Sequence, residues 1–227
     1  MGGGTGSGTG ARLSRERVLR AAAALADAGG VGAVTMRGLA ESLGVEAMSL
    51  YHHVANKEAV LDGLVEVVMA EITAAVDALD EDGLDWRAAM RRRVLTARQV
   101  LLRHPWAPGV FETRTGGSLP VARYYDGLLA LMLRGGFSYD LGHRALHALG
   151  SRALGFSQEL FEPAGGGEAM PQEAVAAMAE QVPHLAAMVA EAAHGSSGRL
   201  GWCDYQAEFE FGLDLILEGL ERLRAGS

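Results

Sequence analysis

Cysteine is almost missing from this chain of 227 residues: Cys203 stands alone, which excludes an internal disulfide framework and a cysteine metal cluster and suits a reducing compartment. Long apolar runs are missing too. Although 49% of the residues are hydrophobic, no run approaches the roughly 20 residues that cross a bilayer. The first residues carry no apolar stretch of secretory type, so a cytoplasmic location without a membrane partner is expected. The common catalytic signatures are equally missing. There is no P-loop, HExxH or GxSxG, and no His and acid stand at a motif spacing from Cys203. Gly6 to Ala11 does satisfy G-x-G-x-x-A, but no strand precedes it, and a phosphate-cradling turn needs the strand, turn and helix together. Lysine is the last scarcity: Lys57 is the only one among 20 basic residues.

What is present is charge sorted along the chain. The formal net charge is −8, yet Ala11 to Lys57 holds Arg12, Arg15, Arg17, Arg20, Arg37 and Lys57 against Glu16, Asp27, Glu41 and Glu46, a local +2 that leaves −10 for the rest. A basic end on an acidic body suits contact with nucleic acid at that end only.

The same end carries the most informative pattern, VTMRGLAESLGVEAMSLYHHVANKEAVL (Val34 to Leu61). Met36, Leu39, Ala40 and Leu43 recur at helical spacing, and Gly44 can take a left-handed C-terminal position. Val45, Leu50 and Val54 then give a second helix an apolar side. This is the layout of a helix-turn-helix, in which a small residue at Ala40 lets the two helices approach. The second helix turns Ala47, Met48, Ser49, Tyr51, His52 and His53 outward or to its flanks. Small and apolar groups there suit thymine methyls, and Tyr51 suits a base edge or phosphate. Thr35 and Arg37 join the candidate DNA contacts from the first helix, Arg37 as a bidentate partner for guanine. Lys57 joins them from the start of the next helix, where Asn56 is a good cap and backbone N–H groups and an ammonium converge on one phosphate. The competing reading is an ordinary surface hairpin with its Tyr-His-His run packed at an edge.

The remainder reads as helices, with no convincing strand. Ser14 to Ala28 buries Val18, Ala22 and Leu25; Lys57 to Leu79 places Leu61, Leu64, Val68, Ile72 and Val76 on one side and runs from the small core into a larger one. After the acidic break Asp80 to Gly83 follow Trp86 to Arg103, a short piece at Trp106 to Phe111, Leu119 to Arg134, Tyr139 to Phe161, Gln172 to Ala193 and Asp204 to Arg224, with loops at Pro163 to Pro171 and His194 to Gly201. The expected architecture is all-α: a flexible Gly-rich arm (1–10), a three-helix DNA-binding head (11–60) and a larger helical body for effector binding and dimerisation (61–227). In the last helix Phe209, Leu213, Ile216, Leu217, Leu220 and Leu223 form an apolar stripe that Phe211 and Leu215 widen, more than one body easily covers, so a second copy is expected there. Trp86, Arg93, Trp106, Phe111, Arg114, Tyr125, Arg152, Phe156 and Glu159 mix aromatic and charged groups on converging helices and are the candidate lining of an effector pocket. His143 and His147 share a helix face at i, i+4 but lack a third ligand at a recognisable spacing, so no metal and no cofactor is expected.

Leu19 to Leu64, above all LGVEAMSLYHHVANKEAVLDGL, resembles the DNA-binding domain of the tetracycline-repressor (TetR) family. GGFSYDLGHRALHALG (Gly135 to Gly150) and FEFGLDLILEGLERL (Phe209 to Leu223) are similar to the regulatory core of its tetracycline-responsive branch. The resemblance implies a homodimer bundle built from Tyr139 to Phe161 and the last helix, with His143 and His147 near the seam. It also implies an inverted-repeat operator and a small organic effector that lowers operator affinity. In the tetracycline-responsive branch a histidine of the short middle helix holds the drug's magnesium. Here Phe111 stands at that position, drug-contacting positions carry Thr73, Arg93, Ala97 and Leu128, and only Glu159 still matches. The effector is therefore expected to differ from magnesium-tetracycline, and Arg93, Arg114 and Arg152 suggest a carboxylated or phenolic molecule. Two other functions stay open: a helical enzyme using Cys203 or His147, and a DNA-binding protein that ignores small molecules.

Overall fold

The computed structural model describes residues 12–114, 118–154, 179–187 and 205–226. Every regular element among them is a helix, and the chain divides into two compact units, 1–146 and 147–227. The first unit begins with α1 (Arg15–Gly29), started by the Ser14 hydroxyl, which accepts from the Arg17 amide at 3.2 Å, and stopped at Gly30 with φ 72°. A short 3-10 turn (Val31–Ala33) leads to α2 (Met36–Leu43). Gly44 then adopts φ 66°, ψ 37°, the left-handed region that a side chain disfavours, and donates back into α2. The second helix, α3 (Ala47–Leu50), is shorter than its sequence suggests. The amides of His53 and Val54 both donate to the Leu50 carbonyl, which closes it after one turn and leaves Tyr51 to His53 in the turn that follows.

Asn56 caps α4 (Lys57–Asp77), its side-chain oxygen accepting from the Ala59 amide at 2.8 Å. The expected stripe is the buried side: Leu61, Leu64, Val68, Ile72 and Val76, joined by Val60 and Met69. Gly63 marks where α1 and α4 nearly touch. A Cβ there would lie 2.3 Å from Leu19 Cδ2, so Leu19 of α1 packs into the space that a side chain on α4 would fill.

The same α4 is the inner wall for α5 (Trp86–Arg103), α6 (Ala107–Thr113) and α7 (Leu119–Arg134). Asp85 caps α5, and Trp86 meets Phe137 edge-on, with ring centroids 4.6 Å apart. Helix α8 (Tyr139–Leu154) buries Leu141, Ala145 and Leu149 and continues from the first unit into the second.

The second unit holds α9 (Tyr205–Ala225) and corrects one expectation. Phe209, Leu213, Leu217 and Leu220 are already buried within a single chain, so they are core and not partner surface, and Ile216 is half-buried. The strongest apolar stripe went inward because that is where it covers most area. The weaker row, Phe211, Leu215 and Leu223, remains open, at 63%, 56% and 59% exposure. Within this unit the Arg152 guanidinium stacks on the Phe209 ring at 5.0 Å and lies against Gly212.

Candidate functional site

The DNA-facing candidates lie on α2, α3, the turn after α3 and the start of α4, and several of them are exposed. Met48 is 73% exposed, a degree of exposure for which a soluble core has no use. Tyr51 and His52 are exposed beside it, whereas Ala47, Ser49 and His53 are half-buried on the flanks. This is what a helix with Leu50 at zero exposure must do: one side is pinned by Leu39, Leu50 and Val54, and the rest faces outward. Arg37 stands at the rim, its side chain 90% exposed and its Nε 2.8 Å from Glu41 Oε1. An exposed i, i+4 pair of this kind contributes only about 0.3–0.5 kcal/mol, so the guanidinium can leave Glu41 for a base or phosphate at little cost. Thr35 is exposed at the start of α2, where its hydroxyl accepts from the Gly38 amide at 3.0 Å and caps the helix, a bond that does not use its own O–H. Lys57 is exposed at the first turn of α4, next to the Asn56 cap.

Side chains expected to line an effector pocket are largely engaged with the protein itself. Arg93 makes a two-pronged pair with Glu81, Nε–Oε1 at 2.7 Å and Nη2–Oε2 at 2.5 Å, and also donates to the Gly127 carbonyl at 3.0 Å. The hydrogen bond from Arg93 holds the Glu81 carboxyl below the usual carboxylate range. Arg114 pairs with Glu58 at 2.6 Å and Asp62 at 3.2 Å, joining the end of α6 to the first turns of α4. Arg152 is stacked on α9. The expectation that these three arginines offer free charge to an acidic effector is thereby corrected: carboxylates or rings of the same chain were in reach, and burial favoured pairing.

Both tryptophans are corrected likewise. Trp86 packs on Phe137 as an anchor, and the Trp106 indole donates to Asp27 Oδ1 at 2.7 Å, in the last turn of α1. Phe111 and Tyr125 are half-buried on α6 and α7. Phe156 and Glu159 lie outside the described residues, as do Cys203, the arm 1–10 and both expected loops. His143 and His147 are exposed on α8, and no group of three His, Cys, Asp or Glu suited to a metal occurs among the described residues.

Two residues beside Arg93 escape a reading of the sequence. Tyr124 packs edge-on against Tyr125, centroids 5.8 Å apart, and burial pushes its phenol above the ordinary value. Its signal is its register with the buried Leu128 and Leu131 on α7. Glu81 reads only as part of an acidic loop, and loop composition gives no sign of a partner in the next helix.

Comparison with known proteins agrees with both ends of the chain. Residues 18–64 match the family described as bacterial regulatory proteins, tetR family, and residues 79–224 match the tetracyclin repressor-like C-terminal domain. The class D tetracycline repressor of Escherichia coli is 35% identical over 149 residues, a match that spans 64% of this chain and 65% of that protein, just under two thirds. The class A repressor from transposon 1721, also of Escherichia coli, is 33% identical over 215 residues, 94% of this chain and 93% of its own. Among solved structures, a single-residue variant of TetR from Acinetobacter baumannii AYE in complex with minocycline superposes with a TM-score of 0.68 at 27% identity, covering 93% of this chain and 95% of that one. With a glycine-turned reading unit at one end and a family domain over most of the remainder, the chain belongs to the TetR family of bacterial regulatory proteins.

Proposed function

We propose that the protein is a cytoplasmic, homodimeric repressor of transcription whose two heads grip an inverted-repeat operator and whose body binds a small organic molecule that weakens the grip. The observation that carries this reading is the exposed Met48, Tyr51 and His52 surface beyond Gly44, with Arg37 and Lys57 on either side. A twofold dimer sets two such surfaces about one DNA turn apart. The working division is a head over 11–60 and a body over 61–227, with α4 shared between them. Membership in a family of regulators leaves the enzyme alternative without support. No helix among the described residues is long and apolar enough to cross a membrane.

The effector reading rests on the body's likeness to proteins such as the minocycline-bound one. Phe111 supplies no imidazole for a metal, and Arg93 and Arg114 already carry carboxylate partners, so an uncharged or weakly polar aromatic molecule fits this chain better than an acid or a metal chelate. Its binding shifts α4 relative to the head. A coupling of about 1–3 kcal/mol changes operator affinity several-fold to more than a hundredfold.

Selection from random duplexes tests the reading. A palindromic winner, followed by molecules that release it, is the expected result; no preference over bulk competitor at modest ionic strength overturns it. On that operator Arg37→Ala should cost about 1–3 kcal/mol and relax preference at one symmetric base pair, while Lys57→Ala should weaken all sequences alike and lower the salt slope by about 1 per head. Equal losses on every sequence for Arg37→Ala would reassign it to the backbone.

A further inference from the structure

The regulator reading requires heads held at a fixed angle, and α4 alone is one rod on which a head can turn. A second attachment lies at the far end of α1. Asp27, in its last turn, accepts the Trp106 indole N–H at 2.7 Å on the same oxygen, Oδ1, that lies 2.7 Å from His104 Nδ1. His104 Nε2 is in turn 3.2 Å from Glu71 Oε2 on α4, and Arg103 Nη2 lies 3.4 Å from that same oxygen. His104 and Trp106 are buried, at 6% and 8% exposure, with their rings edge-on at 5.7 Å. Both donors have left water, so the contact is not an incidental surface one. Nearer the other end of α1, Arg15 pairs with Glu66 of α4 at 2.8 Å. Asp27 lies twelve helical steps beyond Arg15, about 18 Å of lever arm at 1.5 Å per residue. Two ties that far apart fix a rotation that either one leaves open.

We propose that Asp27, His104 and Trp106 are positioning residues for operator binding: the turn between α5 and α6 holds the head's α1 through Asp27 and so sets the separation of the two reading surfaces. The inference rests on the dimeric regulator reading and adds a second route to it, from the start of α6 directly into the head. Because Trp106 immediately precedes α6 and Phe111 lies within it, a displacement of that helix pulls on α1 without passing along α4.

The test compares full-length wild type, Trp106→Phe, Asp27→Ala and Asp27→Asn on the selected operator, on versions with one base pair added or removed at its centre, and on a single half-site. Wild type should discriminate strongly among the spacings. Trp106→Phe keeps one aromatic ring and removes the N–H donor together with the five-membered ring; it should bind the half-site as wild type does, yet lose about fivefold or more of its discrimination between spacings, within the usual range of coupling between sites. Asp27→Ala should do the same, and Asp27→Asn, whose amide oxygen still accepts, should recover much of the loss. A uniform weakening on all spacings and the half-site, or no change in any, overturns the proposal, because a merely structural joint scales every affinity alike. If Asp27→Ala does not fold, Trp106→Phe and Asp27→Asn carry the comparison. Should wild type itself ignore spacing while binding half-sites, the dimeric reading beneath the proposal fails, an outcome visible before any variant is made.

Discussion

Replacing both Phe211 and Leu215 with Glu is expected to convert the protein to monomers in sedimentation and to lower affinity for a two-site operator by about 10²–10⁴-fold, the usual worth of a linked second site. Both side chains are more than half exposed, and Leu223 continues their row at multiples of four residues, with Gly219 between them allowing close approach. A helix that leaves such a row in water while Phe209 and Leu213 are at zero exposure has a second apolar face free for a partner to cover. Each carboxylate placed in that seam meets its symmetry mate and loses solvation, whereas in the monomer it stays in water. Binding to a single half-site should therefore be unchanged, which separates loss of pairing from loss of fold. Leu213→Ala and Leu217→Ala give the contrast: they remove core, cost about 2–5 kcal/mol of stability each, and lower affinity only as far as they unfold the chain. A double Glu variant that sediments as an intact dimer would move the seam away from α9.

That contrast reverses what periodicity alone suggests, and shows what the sequence could and could not convey. The start at Lys57 was legible because a cap is local: Asn56 binds an amide three residues on, as Ser14, Thr35 and Asp85 do at their own helices. The turn at Gly44 was legible because one backbone region favours one residue type. Which apolar face of α9 meets its own chain was not legible, since both faces are apolar and the decision belongs to distant packing. The same holds for the arginines. Arg93 and Glu81 are 12 residues apart, Arg114 and Glu58 are 56 apart, and neither separation matches a helical repeat. Charge marks such residues as consequential, but only the fold says whether a partner inside the chain reaches them first. Trp106 illustrates the limit: an aromatic in a short helix start suits a pocket by composition, and its indole N–H found Asp27 of α1 instead.

Arg93→Met is expected to destabilise the body by about 2–3 kcal/mol at neutral pH, less than the about 3–5 kcal/mol lost when a fully buried ion pair is broken, because both side chains keep some contact with water. Their side-chain exposures are 15% and 20%. The guanidinium ties three elements: the loop before α5 through Glu81, α5 itself, and α7 through the Gly127 carbonyl. Methionine fills similar volume but leaves the Glu81 carboxylate beside only the more distant charges of Arg134 and Arg92. The pH dependence follows from the direction of the shift. Arg93 holds the Glu81 carboxyl below its ordinary value, so the stabilisation is present above the unfolded-chain pKa of about 4.3 and is lost as pH falls through the lower folded value. Without Arg93, burial acts in the opposite direction and Glu81 takes up its proton more readily. The stability gap between wild type and Arg93→Met should therefore be widest near pH 7, begin to narrow by about pH 4.3 as Glu81 protonates in the variant, and go on narrowing as pH falls through the lower wild-type value, as read by urea unfolding at each pH. Adding Glu81→Gln to Arg93→Met should return part of the loss, since a neutral amide tolerates the half-buried site. A gap that stays constant down the pH series, with no return from Glu81→Gln, would assign the whole effect to Gly127 and to packing.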